Sequence, residues 1–206
     1  MRLMLRALFA LSLALAASAV LSAGDTTYYV GHMEKFVNIQ FESETELETI
    51  VGSTNKATGE IHVDLDKGEG SVNLTVPVAS LTTGIAMRDD HMRGDNWLQA
   101  AKFPDLTFVS KKVKIDKDKG TAEVTGDFSM HGVSKERTVT ATWSAVSKEK
   151  AEKAQFPAGD WIRFVVEFDV KLGDHGVDAQ KGGGKVNDTW KLKMTLFACT
   201  SKPEKK

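Results

Sequence analysis

Arg88, Asp89 and His91 stand almost side by side and carry the side chains of an acid–base set. A carboxylate can take a proton, an imidazole can pass it on, and a guanidinium can hold an anion. With His131 the same group would offer ligands to a metal. The competing reading is structural: neighbouring Arg and Asp in a loop form an ion pair that fixes the loop against a strand end. The structural reading is preferred, because clustered titratable groups are only a statistical sign of function. His32, His91, His131 and His175 share none of the close spacings of zinc sites, so no metal is assigned. His131, before Gly132, is expected to bond backbone in a hairpin. His62 falls on a polar strand face and is expected in solvent, and His175 falls in a flexible glycine-rich loop.

Three other patterns invite chemistry and fail on spacing. Gly182-Gly183-Gly184-Lys185 looks like a phosphate loop, but Val186 stands where Ser or Thr is needed and a strand follows in place of a helix. Asp116 to Gly120 has the acidic spacing of a calcium loop without its closing Glu, and reads as a hairpin turn. Cys199 is the lone cysteine, with no His beside it in sequence, and reads as an inert thiol at a strand end.

The elements that position these residues are strands. Val37, Ile39 and Phe41 recur at period two, and Leu47 and Val51 are read as continuing that alternation against Glu46 and Glu48. Ile61, Val63 and Leu65 follow, then Val72, Leu74, Val76 and Val78, with Pro77 expected at a strand end. Thr107 to Ile115 has mixed parity, which predicts a bulge. Val124, Phe128 and Met130, then Val139, Ala141 and Trp143, alternate in turn. The longest run takes in Ile162, Phe164, Val166, Phe168, Val170 and Leu172, and Trp190 to Leu196 closes the set. Ser147 to Ala154 has helix formers but no apolar stripe and is expected as an exposed helical turn or charged loop. The count is about nine or ten antiparallel strands with one apolar face each. Closure into a barrel removes sheet edges. An aromatic-lined interior could be a packed core or an apolar pocket, and composition leaves both open.

Between these strands, Ser80 to Ser110 breaks the alternation. It holds a Thr-Thr-Gly turn, the Arg-Asp-Asp-His cluster, and an apolar set that predicts a short helix within 85–100. Such an excursion commonly serves as a lid or binding-site wall. Residues 1–23 read as an export signal: Arg2 and Arg6, an apolar run from Leu8 to Ala17, and cleavage after Ala19 or Ala23. No Cys follows that run, which disfavours a lipid anchor there. Residues 24–206 then form one domain. A formal net charge of −1 with evenly spread Lys and Glu offers no basic face for nucleic acid. An outer-membrane barrel is disfavoured by the dense Lys and Glu on the polar faces.

Ser80-Leu81-Thr82-Thr83-Gly84, Arg88-Asp89-Asp90-His91-Met92, Phe103-Pro104-Asp105-Leu106-Thr107-Phe108 and Gly126 to Lys135 together resemble the YceI-like family. The resemblance runs roughly from Tyr29 to Leu196. It departs near the start, where Gly31-His32-Met33 keeps one His and Glu42 to Thr45 has none. It implies an all-β, lipocalin-like antiparallel barrel, periplasmic and without catalytic residues, that holds a polyisoprenoid, isoprenoid quinone-like or fatty-acid-like lipid. No cofactor and no membrane span after cleavage are implied, and a homodimer is left open. On that reading Phe41, Leu74, Val76, Phe108, Phe128, Met130, Trp143, Phe164, Phe168, Trp190 and Met194 line the pocket. Met87, Met92, Trp97, Leu98 and Phe103 form its entrance. Two alternatives stand beside it: a barrel enzyme using Arg88, Asp89 and His91 on an apolar substrate, and a protein-binding module using the 80–110 surface.

Overall fold

The computed structural model describes residues 24–203; the expected export signal lies outside them. The strands are β1 (Asp25–Val30), β2 (Asn38–Glu44), β3 (Thr49–Thr54), β4 (Thr58–Asp64) and β5 (Glu69–Pro77). They continue as β6 (Asp105–Asp116), β7 (Thr121–Met130), β8 (Val133–Val146), β9 (Trp161–Lys171) and β10 (Thr189–Cys199). Two helices interrupt them, α1 (Ala86–Arg93) and α2 (Lys148–Lys153). The order β1-β4-β5-β6-β7-β8-β9-β10 returns to β1 through Tyr29↔Cys199 and Val30↔Ala198, so eight strands close a barrel. β2 takes the rest of β10's edge, from Lys191↔Glu42 to Thr195↔Asn38, and β3 pairs outside it. A single bridge, Ser53↔Thr82, ties β3 to the excursion.

The barrel forms because period-two alternation sends one face of each strand inward. Pro77 ends β5, where its missing N–H does no harm. The mixed parity of β6 is a register shift between Ser110 and Lys112. One parity reading is corrected. Thr45 accepts from the N–H groups of Leu47 and Glu48 and turns the chain before β3. The turn resets the alternation, so Ile50, Gly52 and Thr54 face inward while Leu47 and Val51 are 70% and 50% exposed. Gly52 lies directly under Phe41: a methyl there would sit 1.9 Å from the ring.

The helical turn expected at 147–154 forms, but one of its residues is not exposed. It is α2, capped by Ser147, and Ala151 is buried against Trp161 and Cys199. Phe36, Phe156, Phe197 and Trp161 make a second apolar cluster, with Phe156 centred 4.6 Å from Trp161 and 4.9 Å from Phe36. Trp161, Phe197 and Cys199 have outward parity, so this cluster sits on the outside of the barrel wall. Cys199 is fully buried within it.

The glycine-rich loop after β9 is structured, against expectation. It contains short 3-10 turns at Leu172–His175 and Ala179–Gly182, and Asp188 accepts from the N–H of Gly173. His175 is fully buried there.

Candidate functional site

The inward faces enclose a cavity of about 140 Å³. It runs from Leu81 and Leu98, under the excursion, to Val113 and Ala122 near the β6–β7 hairpin. Among the described residues, its lining is apolar except for Thr107 and His62. His62 is half-buried and shares a hydrogen bond with Thr27 Oγ1 at 2.8 Å, in place of the solvent exposure expected for it. A void of this size takes a group about as large as benzene. Pockets that swallow whole drug-sized ligands measure about 300–1,000 Å³.

Phe41, Leu74, Val76, Leu98, Phe108, Phe128, Met130, Trp143, Phe164, Phe168, Trp190 and Met194 all line the cavity. Phe41 stacks on Trp190 at 4.6 Å, and Phe128 meets Phe168 edge-on at 5.8 Å. The remaining four expected contacts are placed elsewhere. Met87 is 68% exposed on α1. Met92 and Trp97 pack into the cluster that closes this end of the barrel without reaching the void. Phe103 packs against His131 and fills the space a side chain on Gly132 would need. α1 is short and lies across the barrel end, so only one of its sides meets the strands. Ile39, Ile61, Val124, Val139, Ala141, Val166 and Leu192 also line the cavity. Their inward parity is legible in the alternation, although they lack the aromatic signature of the others.

Arg88, Asp89 and His91 do not assemble, and none lines the cavity. Arg88 forms its ion pair with Glu48 in the β2–β3 turn, not with Asp89. His91 is exposed. Asp89 is buried and accepts from Thr82 Oγ1 (2.6 Å), Thr83 N (2.6 Å) and Thr83 Oγ1 (2.7 Å), with Arg93 3.7 Å away. Burial works to raise its pKa, but the threonine bonds and Arg93 outweigh that and hold it below the usual carboxylate value. It is the brace that fixes α1 to the Thr82–Gly84 turn. Asp89→Ala is expected to destabilise the protein by about 1–3 kcal/mol, since it removes three hydrogen bonds to a buried carboxylate. Urea unfolding should show the midpoint falling. The pKa is depressed on folding, so this stability is present above about pH 4 and lost as pH falls through the native value. The gap between wild type and variant should therefore narrow in acid.

His131 donates from Nδ1 to the His175 carbonyl at 3.0 Å, the backbone bond expected of it. His175 donates in turn from Nδ1 to the Val133 carbonyl at 2.9 Å. Burial, then the nearby Arg137, pushes the His175 pKa down, although the Val133 bond opposes this. The ring is neutral at pH 7 as a result. Nε2 of both histidines, Nε of Arg93 and Arg137, and Nε1 of Trp190 are buried without partners. Among the described residues no three His, Cys, Asp or Glu side chains gather as metal ligands, and no helix is long and apolar enough to cross a membrane.

This architecture recurs in solved structures. Burkholderia cenocepacia BcnA superposes with a TM-score of 0.67 at 23% identity, covering 82% of this chain and 98% of that one. A YceI protein of Campylobacter jejuni gives 0.63 at 22% identity over 77% and 90%. A polyisoprenoid binding domain from Saccharophagus degradans gives 0.58 at 16% identity over 84% and 98%. These likenesses bear on fold alone. In sequence, a UPF0312 protein of Vibrio parahaemolyticus is 32% identical over 82% of this chain and 90% of its own. Another, from Pseudomonas syringae pv. tomato, is 32% identical over 87% and 91%. The profile of the YceI-like domain matches residues 28–198, which span the barrel from β1 to the end of β10. With strand order, excursion motifs and profile in agreement, the chain belongs to the YceI-like family.

Proposed function

We propose that this protein binds a long apolar lipid inside its barrel, of polyisoprenoid, quinone-like or fatty-acyl type, and carries or stores it in the periplasm. The observation that carries the reading is the cavity wall. Strands from every side of the barrel contribute apolar side chains to one continuous interior, with almost no polar group to orient a reacting substrate. Such a site holds ligands by burial, at about 0.8 kcal/mol per methylene withdrawn from water. It needs no chemical step, which supports a binding role over a catalytic one. A chain longer than the void enters by turning side chains aside. Met130 and Met194 are suited to that, being unbranched and adaptable. A polyisoprenoid binding domain from Saccharophagus degradans has a similar fold, which agrees with this ligand class. The periplasmic part rests on the export signal read in residues 1–23.

Organic extraction of protein purified from its native host, followed by mass spectrometry, tests the reading. The expected result is a lipid present at near-equimolar amount. Protein that yields no lipid and takes up no added long-chain fatty acid would defeat it.

A further inference from the structure

The barrel wall is unevenly sewn. β7 pairs with β8 along the whole hairpin, from Met130↔Val133 to Thr121↔Thr142, and β9 with β10 from Thr189↔Lys171 to Cys199↔Trp161. Between β8 and β9 the register runs only from Val146↔Trp161 to Ala141↔Val166 and stops. Both strands continue, β8 back to Val133 and β9 on to Lys171, with no ladder between them. At about 3.3 Å per residue the open stretch of β8 from Ser134 to Thr140 makes a slot roughly 20 Å long.

Side chains hold this slot. Arg137 donates from Nη1 to the Asp169 carbonyl at 2.7 Å and lays its guanidinium 5.9 Å from the Phe128 ring centre. At the far end the Val133 carbonyl accepts from His175, and the His175 carbonyl accepts from His131. The inner lips, Val139 on β8 and Phe168 on β9, line the cavity and are only half-buried. The outer lip is polar and exposed, with Glu136, Thr138 and Thr140.

We propose that the unpaired β8–β9 seam is the portal through which an apolar chain enters and leaves the barrel, with Arg137 and His175 as its latch. The inference rests on the lipid-binding reading above. Opening a fully laddered joint such as β7–β8 or β9–β10 breaks a row of backbone hydrogen bonds, whereas opening here breaks a few side-chain ones. The closed latch is also poorly satisfied: Arg137 Nε and His175 Nε2 are buried without partners, and each regains water when the seam parts. Segments with few backbone bonds and unsatisfied polar groups open at the low end of a protein's stability range.

The test uses the full chain and a fluorescent polyene fatty acid followed by stopped flow. Thr138→Cys with Asp169→Cys, joined by a short bis-maleimide, clamps the slot; Cys199 is fully buried and should stay unreactive. Clamping is expected to slow uptake and release at least tenfold, while fatty acid loaded before clamping stays bound. The same reagent across Thr142→Cys and Val165→Cys, where the ladder is intact, should leave both rates unchanged. Arg137→Ala should speed release by about tenfold, the loss of one charged hydrogen bond. Uptake that proceeds equally fast with the slot clamped would overturn the portal and leave lipid binding standing. Failure of the unclamped protein to take up the probe at all would overturn both.

Discussion

A single methyl group on Gly59 is expected to remove about 3–5 kcal/mol of stability, the sum of a strained backbone and an overpacked one. Gly59 has φ +153°, outside the range ordinary side chains adopt. Its added Cβ would sit 2.1 Å from the carbonyl oxygen of Asn73 and 3.0 Å from Leu74 Cα. Both obstacles include main chain, because Gly59 pairs with Leu74 on one side and with Val30 on the other. No side chain can swing away to make room, so β4 must peel from β5. Domains of this kind have about 5–15 kcal/mol to lose in total. Gly59→Ala should therefore unfold at a much lower urea concentration than wild type. Gly84→Ala is the control: φ is +77° there, but nothing lies within 4 Å of the added carbon, so only the backbone term of about 1 kcal/mol remains. Equal losses at the two sites would show that the strand contact is not the cause.

Ala141→Trp is expected to weaken long-chain lipid binding about a hundredfold. Ala141 faces the cavity from the middle of β8, paired with Ala122 and Val166. An indole there occupies room that three or four methylenes of a bound chain would fill. At about 0.8 kcal/mol each that removes about 3 kcal/mol of binding, and each 1.4 kcal/mol is tenfold. Titration with a fluorescent fatty acid reads the loss. Thr142→Trp, one residue on and facing outward, should bind as wild type does. If both variants bind normally, the ligand lies outside the barrel.

The sequence reading was strongest where side chains alternate without interruption. β7, β9 and β10 repeat apolar residues at strict period two, and their inward faces are those of the structure. Around Leu47 the same rule misled, because Thr45 inserts a turn whose hydrogen bonds carry no apolar signature. The outer cluster was hidden for a related reason. Trp161 and Phe197 fall on the polar phase of their strands, and what covers them comes from outside those strands, from α2, Phe156 and Phe36. His175 looked mobile among glycines, and only the Val133 carbonyl on another hairpin explains its burial. In the Arg-Asp-Asp-His cluster, Asp89 braces the Thr82–Thr83 turn and Arg88 pairs with Glu48 in place of Asp89, because these partners are set by how the excursion folds back. Met87 shows the limit of composition. An apolar residue beside pocket residues in sequence need not share their direction in space.

The joint between β1 and β10 bears on when the barrel can form. It consists of Tyr29↔Cys199 and Val30↔Ala198, residues near opposite ends of the described chain. A ribosome emits β1 before the other described strands, yet the strand that completes its ring lies far downstream, beyond β2 to β9. Until Ala198 and Cys199 are available, β1 has β4 as its one ladder partner and the cylinder stays unzipped. Pairings this distant in sequence put folding on the slow, millisecond-to-second side of the two-state range. The ring therefore closes only once β10 has been made, so every other joint of the wall can be laid down before the last one.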